Sequence, residues 1–145
     1  MLRVDIESML IDKSLKVADL PVIWNEQIKE YLDLKVPDDS QGVLQDIHWS
    51  GGQFGTFCNY TIGNVMAAQL METMKNNKPE IQNDINKANY LPLLNWLTSN
   101  IHSHGRRYTR NELLERSTGE TLNPLPYLKY LKNKANQVYG VSFND

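Results

Sequence analysis

The residues best suited to chemistry lie together in Gly42-Val43-Leu44-Gln45-Asp46-Ile47-His48-Trp49. An imidazole can donate, accept or carry a proton, a carboxylate can orient it, and an amide can hold a polar ligand. Asp38, Asp39 or Ser40 can cap a helix entering this run, and Ser50-Gly51-Gly52 can stop it, so the pattern predicts a helix. On that helix Gln45 and His48 share a face, with Trp49 four residues beyond Gln45. Such a face reads as a pocket wall. It reads equally as a surface helix whose Trp49 and Ile47 are core and whose His48 is incidental. Asp46 can orient His48, face a neighbouring cation, or only cap backbone amides.

The other metal-capable residues are sparse. His102 and His104 are two positions apart, which on a helix turns them about 200° from one another and prevents a shared site. His48 has no second ligand at helical spacing, and Cys58 is the only cysteine. A zinc site built from this chain alone is not expected. Cys58 is not expected to be a nucleophile, because no histidine lies near it in sequence.

The run from Gly42 to Trp49 matches Gly-x-x-Gln-Asp-x-His-Trp, a signature of the thermostable carboxypeptidase Taq-like metallocarboxypeptidases. The resemblance continues through Trp49-Ser50-x-Gly52-x-Phe54-Gly55, Tyr60-x-x-Gly63-Asn64 and Ala67-Ala68-Gln69-Leu70. It extends over His104-Gly105-Arg106-x-Tyr108 and Thr118-Gly119-Glu120 to Tyr127-Leu128-x-Tyr130-Leu131. The chain looks like the C-terminal third or so of such an enzyme. The family's zinc-binding His-Glu-x-x-His helix and later ligand Glu do not occur in it. The resemblance implies a cleft wall that works on peptide C-termini while an upstream segment of the same enzyme holds zinc. It also implies a homodimer. In a zinc peptidase the developing oxyanion and the substrate carboxylate need donors from the cleft. His48 is then the catalytic candidate, a donor near the scissile carbonyl. Gln45, Asp46, Tyr60 and Arg106 are the substrate-binding candidates, with no metal ligand among them. Arg106 and Tyr108 have a structural alternative, a cation and an ordered turn after a helix end. The pattern departs from the family at Thr56 and Cys58, where relatives carry tyrosine and proline.

A net charge of -2 argues against a dedicated nucleic-acid surface, and the basic cluster His104-Gly-Arg-Arg-Tyr-Thr-Arg110 is local. No apolar run approaches the ~20 residues needed to cross a bilayer, and no leader is evident. With a single cysteine, the expectation is a cytoplasmic protein without membrane or nucleic-acid partners. A non-enzymatic helical interaction module derived from the same family is the competing reading.

The positioning elements follow from apolar spacing. Leu2, Ile6, Met9 and Leu10 mark a helix that lacks an initiating cap. Asp19 and Pro21 open a second with Ile23, Trp24, Ile28 and Tyr31 along its stripe, and Val36-Pro37 is expected to break it. Gly51 to Phe57 is a shaped loop. Ile62, Met66, Leu70 and Met74 mark a helix from Tyr60 to about Lys75, and Ile81 and Ile85 a short one. A further helix ends at His102-Ser103-His104-Gly105, Thr109 with Glu112 forms a capping box, and a last helix runs from Asn123-Pro124 to Gly140. The result is all-α, with roughly seven helices over a single segment 1–145. Any strand is confined to the neighbourhood of 54–57.

Overall fold

The computed structural model describes residues 1–143, so the last two positions of the expected segment lie outside the described residues. Seven α-helices connected by loops and short 3-10 turns make up the described chain, with no strand among the described residues. The all-α expectation holds, and the loop around 54–57 stays irregular. The chain divides into two compact units, the first being Met1–Thr61 and the second beginning at Ile62.

In the first unit α1 (Leu2–Ile11) and α2 (Leu20–Leu32) pack on each other. Ile6, Leu15, Trp24 and Val43 are buried together, and Leu2, Met9, Leu10, Ile23, Ile28 and Trp49 close over them. The anticipated α1 stripe packs, as do Ile23, Trp24 and Ile28 of α2, whereas Tyr31 at the end of that stripe is exposed. Met1 precedes α1 without a side-chain cap, and Pro21 sits in the first turn of α2. Two details differ from expectation. Asp19 makes no side-chain cap bond, because it belongs to a preceding 3-10 turn, Val17–Asp19. The second helix ends well before Pro37: Asp33 adopts a left-handed conformation at φ 54°, and Lys29 pairs with its carboxylate.

The largest difference lies in the organising run, which is not a helix. It consists of 3-10 turns at Asp39–Gln41, Val43–Gln45 and Trp49–Gly51, with Asp46 extended at φ -86°, ψ 115°. Gln45 and His48 therefore do not share a helical face. Asp38 does cap the first turn, accepting the Gln41 N–H. Gly42 is required by space, since a Cβ there would come within 2.6 Å of Val36 Cγ1.

The unit boundary falls within α3 (Cys58–Asn77). The second unit continues with α4 (Ile81–Asn86), α5 (Leu91–Asn100), α6 (Arg110–Thr118) and α7 (Leu125–Tyr139). Met74, Ile81 and Trp96 form its buried cluster, joined by Leu70, Met71, Leu93 and Leu97. Gln69 is buried and fully used: its amide donates to Thr118 Oγ1 and the Thr121 carbonyl, and its oxygen accepts the Asn123 N–H. The Thr109–Glu112 capping box is present. Gly140 closes α7 in a left-handed conformation.

Candidate functional site

The first unit brings Asp46 and His48 together and adds two side chains that sequence reading does not reach, Arg3 and Glu7. Both come from α1, four residues apart. The Asp46 side chain is fully buried, with 0% of its surface exposed. Its two oxygens are divided: Oδ2 lies 2.6 Å from Arg3 Nε, while Oδ1 accepts the His48 backbone N–H at 2.8 Å. Oδ1 also lies 3.4 Å from His48 Nδ1. The Arg3 contact is a close ion pair without linear hydrogen-bond geometry. Of the contacts open to Asp46 on sequence, a neighbouring cation and a capped backbone amide are present, while His48 Nδ1 is near without a hydrogen bond.

Aromatic rings complete the surroundings. The Arg3 guanidinium lies 5.5 Å from the Trp24 ring centroid and 5.1 Å from that of Phe57, within cation–π range of both. His48 meets Phe57 edge-on at 4.8 Å. Trp49 stands edge-on to Trp24 at 6.1 Å and to Phe57 at 6.4 Å. Edge-to-face arrangements are favoured by the ring quadrupoles, so this cluster has directional preferences as well as bulk.

Glu7 serves the other half of the run. Its buried carboxylate accepts the Trp49 indole N–H at 3.1 Å through Oε1 and the Gly55 N–H at 3.1 Å through Oε2. One helical face thus anchors the 3-10 turn of Trp49 and the glycine-rich loop. Cys58 is a free thiol whose Sγ lies 3.5 Å from the Gly55 carbonyl, a weak contact that helps close that loop.

A cavity of about 880 Å³ opens beside this network, with Arg3, Trp24, Tyr31, His48, Phe57 and Tyr60 in its wall. Its surface is mostly apolar and aromatic with a few polar groups, the usual make-up of a small-ligand site. Tyr60 is 69% exposed. Tyr31 donates its hydroxyl to Asp5 Oδ2 at 3.1 Å, and that bond to a carboxylate raises the phenol above its ordinary 10.0. Tyr31 is therefore held as a neutral hydroxyl.

Gln45 and Arg106 do not line this cavity. The Gln45 amide is exposed and donates to the Ser40 carbonyl, fastening the turn before it. Arg106 belongs to the second unit and is exposed after the 3-10 turn His102–His104. There Arg107 and Arg116 rather than Arg106 approach the Tyr108 ring, at 5.7 and 4.5 Å. Ile47 is 74% exposed, so the reading that buries it in the core is overturned.

Among the described residues no three His, Cys, Asp or Glu side chains converge as a metal centre would require. Among the described residues, the acid–imidazole pair Asp46–His48 has its acid committed to Arg3. These residues do not fit a metal on their own. No helix among the described residues is long and apolar enough to cross a membrane.

Comparison with known proteins agrees with the folded arrangement. The family model described as carboxypeptidase Taq (M32) metallopeptidase matches residues 1–135. Carboxypeptidase 1 of Bacillus subtilis (strain 168) is 36% identical over 138 residues, covering 95% of this chain and 28% of its own. The crystal structure of the M32 carboxypeptidase from Deinococcus radiodurans R1 superposes with a TM-score of 0.91 at 40% identity, over 97% of this chain and 28% of that one. Trypanosoma cruzi metallocarboxypeptidase 1 gives a TM-score of 0.87 at 39% identity, over 92% and 27%. The chain spans a little more than a quarter of the length of these relatives.

Proposed function

Because this chain belongs to the carboxypeptidase Taq (M32) metallopeptidase family, we propose that it supplies substrate-cleft wall to a zinc-dependent metallocarboxypeptidase acting on peptide C-termini. The observation that carries this reading is the Arg3–Asp46–His48 network at the edge of an aromatic cavity. Charged groups are seldom buried unless paired, and here the buried acid stands between a cation and an imidazole on a cavity wall.

The roles follow from position. Asp46 stands behind His48 Nδ1, which leaves Nε2 as the imidazole atom not turned toward the acid. A proton taken up at Nε2 can be donated to an oxyanion forming at the scissile carbonyl. Tyr60 offers an exposed hydroxyl on the same wall and is assigned the second donor. The aromatic walls suit an apolar residue at the peptide's end. Gln45 supports the turn that carries Asp46 and His48, and Arg106 is assigned no direct contact with substrate at this cavity.

Zinc in this reading is held by the remaining portion of a complete family member and supplies the activated water. That portion is the partner we propose for this chain, within a cytoplasmic homodimer. The test is His48→Ala in a complete enzyme containing this span. It should lower kcat by ~100-fold or more with metal content unchanged, the usual loss of one transition-state donor. Loss of metal together with activity, or unchanged turnover, would dismiss the cleft-donor role.

A further inference from the structure

We propose that Arg3 is a positioning residue for His48, acting through Asp46. This rests on the reading of His48 as a cleft donor, yet its test does not depend on turnover. Asp46 has no exposed side-chain surface, and a buried carboxylate is strongly disfavoured unless a cation stands beside it. Arg3 is that cation. Standing 2.6 Å from Oδ2, it compensates the buried charge on that side and leaves Oδ1 to His48. Oδ1 then holds His48 through its backbone N–H at 2.8 Å and stands 3.4 Å from Nδ1, a proximity without hydrogen-bond geometry.

The guanidinium is itself restrained. It lies over the Trp24 and Phe57 rings, and Phe57 also receives the edge of His48. A planar cation suits this place better than an ammonium, because it can face a ring and a carboxylate together. Arg3 therefore bears on each restraint placed on the imidazole: Asp46 on its backbone, Asp46 on its Nδ1, and Phe57 against its ring. Glu7, one turn further along α1, performs the separate task of holding Trp49 and Gly55. It provides a matched control on the same helix.

The consequence is a choice of tautomer. A carboxylate oxygen 3.4 Å from Nδ1 favours the proton of the neutral ring on that nitrogen, whereas a histidine free in water prefers it on Nε2. With its own proton at Nδ1, His48 donates to the oxyanion the proton that Nε2 first takes up in the cleft.

Long-range proton–nitrogen correlation spectra of the 15N-labelled chain read this directly, at a pH where the imidazoles are neutral. The His48 signals are identified as those that vanish in His48→Ala. The wild-type chain should show His48 predominantly as the Nδ1–H form, while exposed His102 shows the Nε2–H form. In Arg3→Met the Nδ1–H excess should be lost, and in Glu7→Gln it should persist. Should Arg3→Met fail to fold, Arg3→Lys serves instead: it keeps the charge but lacks the Nε beside Asp46, and the excess should shrink. A wild-type His48 in the Nε2–H form overturns the proposal. So does an excess that survives both Arg3 substitutions, or one that is lost equally in Glu7→Gln. An unaffected kcat in His48→Ala would remove the cleft-donor role while leaving these spectra unchanged, so the two failures are distinguishable.

Discussion

The indole of Trp49 is tied to Glu7 across 42 positions of sequence, its Nε1–H donating to Oε1 at 3.1 Å. The same carboxylate accepts the Gly55 N–H, so one buried acid fastens both a ring of the aromatic cluster and the loop that follows it. Trp49→Phe keeps an aromatic ring but removes the donor, leaving Oε1 buried without its partner. The expected cost is about 1–3 kcal/mol, the penalty for an orphaned buried polar group. Chemical denaturation of the chain would show it as a lowered midpoint. A midpoint equal to wild type would mean that the bond contributes nothing net.

Both ends of that bond were visible in the sequence, but the bond was not. Arg3 and Glu7 stand within the apolar spacing of Leu2, Ile6, Met9 and Leu10, where charged residues ordinarily border a stripe and face solvent. Their partners lie some forty positions away, and period-3.6 reasoning carries no information over that distance. The same limit explains the misread run at Gly42. Its cap and stop signals are genuine, and Asp38 does cap a turn. A continuous helix is refused because Asp46 is extended, with its carboxylate occupied by Arg3 and the His48 N–H. Tertiary ion pairing overrides local preference there. Where packing and local signals agree, as in Ile62, Met66, Leu70 and Met74 of α3 or Thr109 and Glu112 of α6, the helices were legible in advance.

Burial in the second unit divides residues of similar chemistry into two classes. Ile81 is 1% exposed within the cluster of Met74 and Trp96, whereas Leu91 is 62% exposed at the start of α5. Ile81→Ala should cost about 2–5 kcal/mol, through lost transfer energy and the cavity left behind. Leu91→Ala should stay within about 0.5 kcal/mol of wild type. Parallel urea titrations of the two variants decide the matter, and equal effects would contradict the packing described for α4 and α5.

Acid should weaken the chain through two carboxylates at turn and helix starts. Glu112 accepts the Thr109 hydroxyl at 2.7 Å and the Thr109 N–H at 2.8 Å, and these bonds hold it below its ordinary 4.5. Asp38 is likewise held below 3.8 by the Ser40 hydroxyl and the Gln41 N–H. A carboxyl depressed by folding contributes its stability above the unfolded-state value and loses it as pH falls through the folded-state value. Relative to Glu112→Gln, the wild-type advantage should therefore be constant above 4.5 and shrink steadily at lower pH. Unfolding measured at a series of pH values would show this. An advantage that grows on acidification has the wrong sign and would refute the bond's role.

The division of labour proposed for the cleft makes its strongest claim about the chain in isolation. A catalytic zinc needs three protein ligands within ~2.0–2.2 Å, and the described residues bring no such trio together. Asp46 is shared between Arg3 and His48, so drawing it to a metal would strip Arg3 of its counter-charge. The chain alone should therefore bind zinc weakly and leave peptides intact, because donors without an activated water give only a small residual rate. Adding the complementary portion of a family member, in cis or by mixing, should bring both zinc and turnover. Zinc stoichiometry and release of the C-terminal residue from a blocked dipeptide, measured on the chain and on the mixture, test both halves of the claim. One equivalent of tightly bound zinc with turnover from the chain alone would place the metal site within these residues and overturn the assignment.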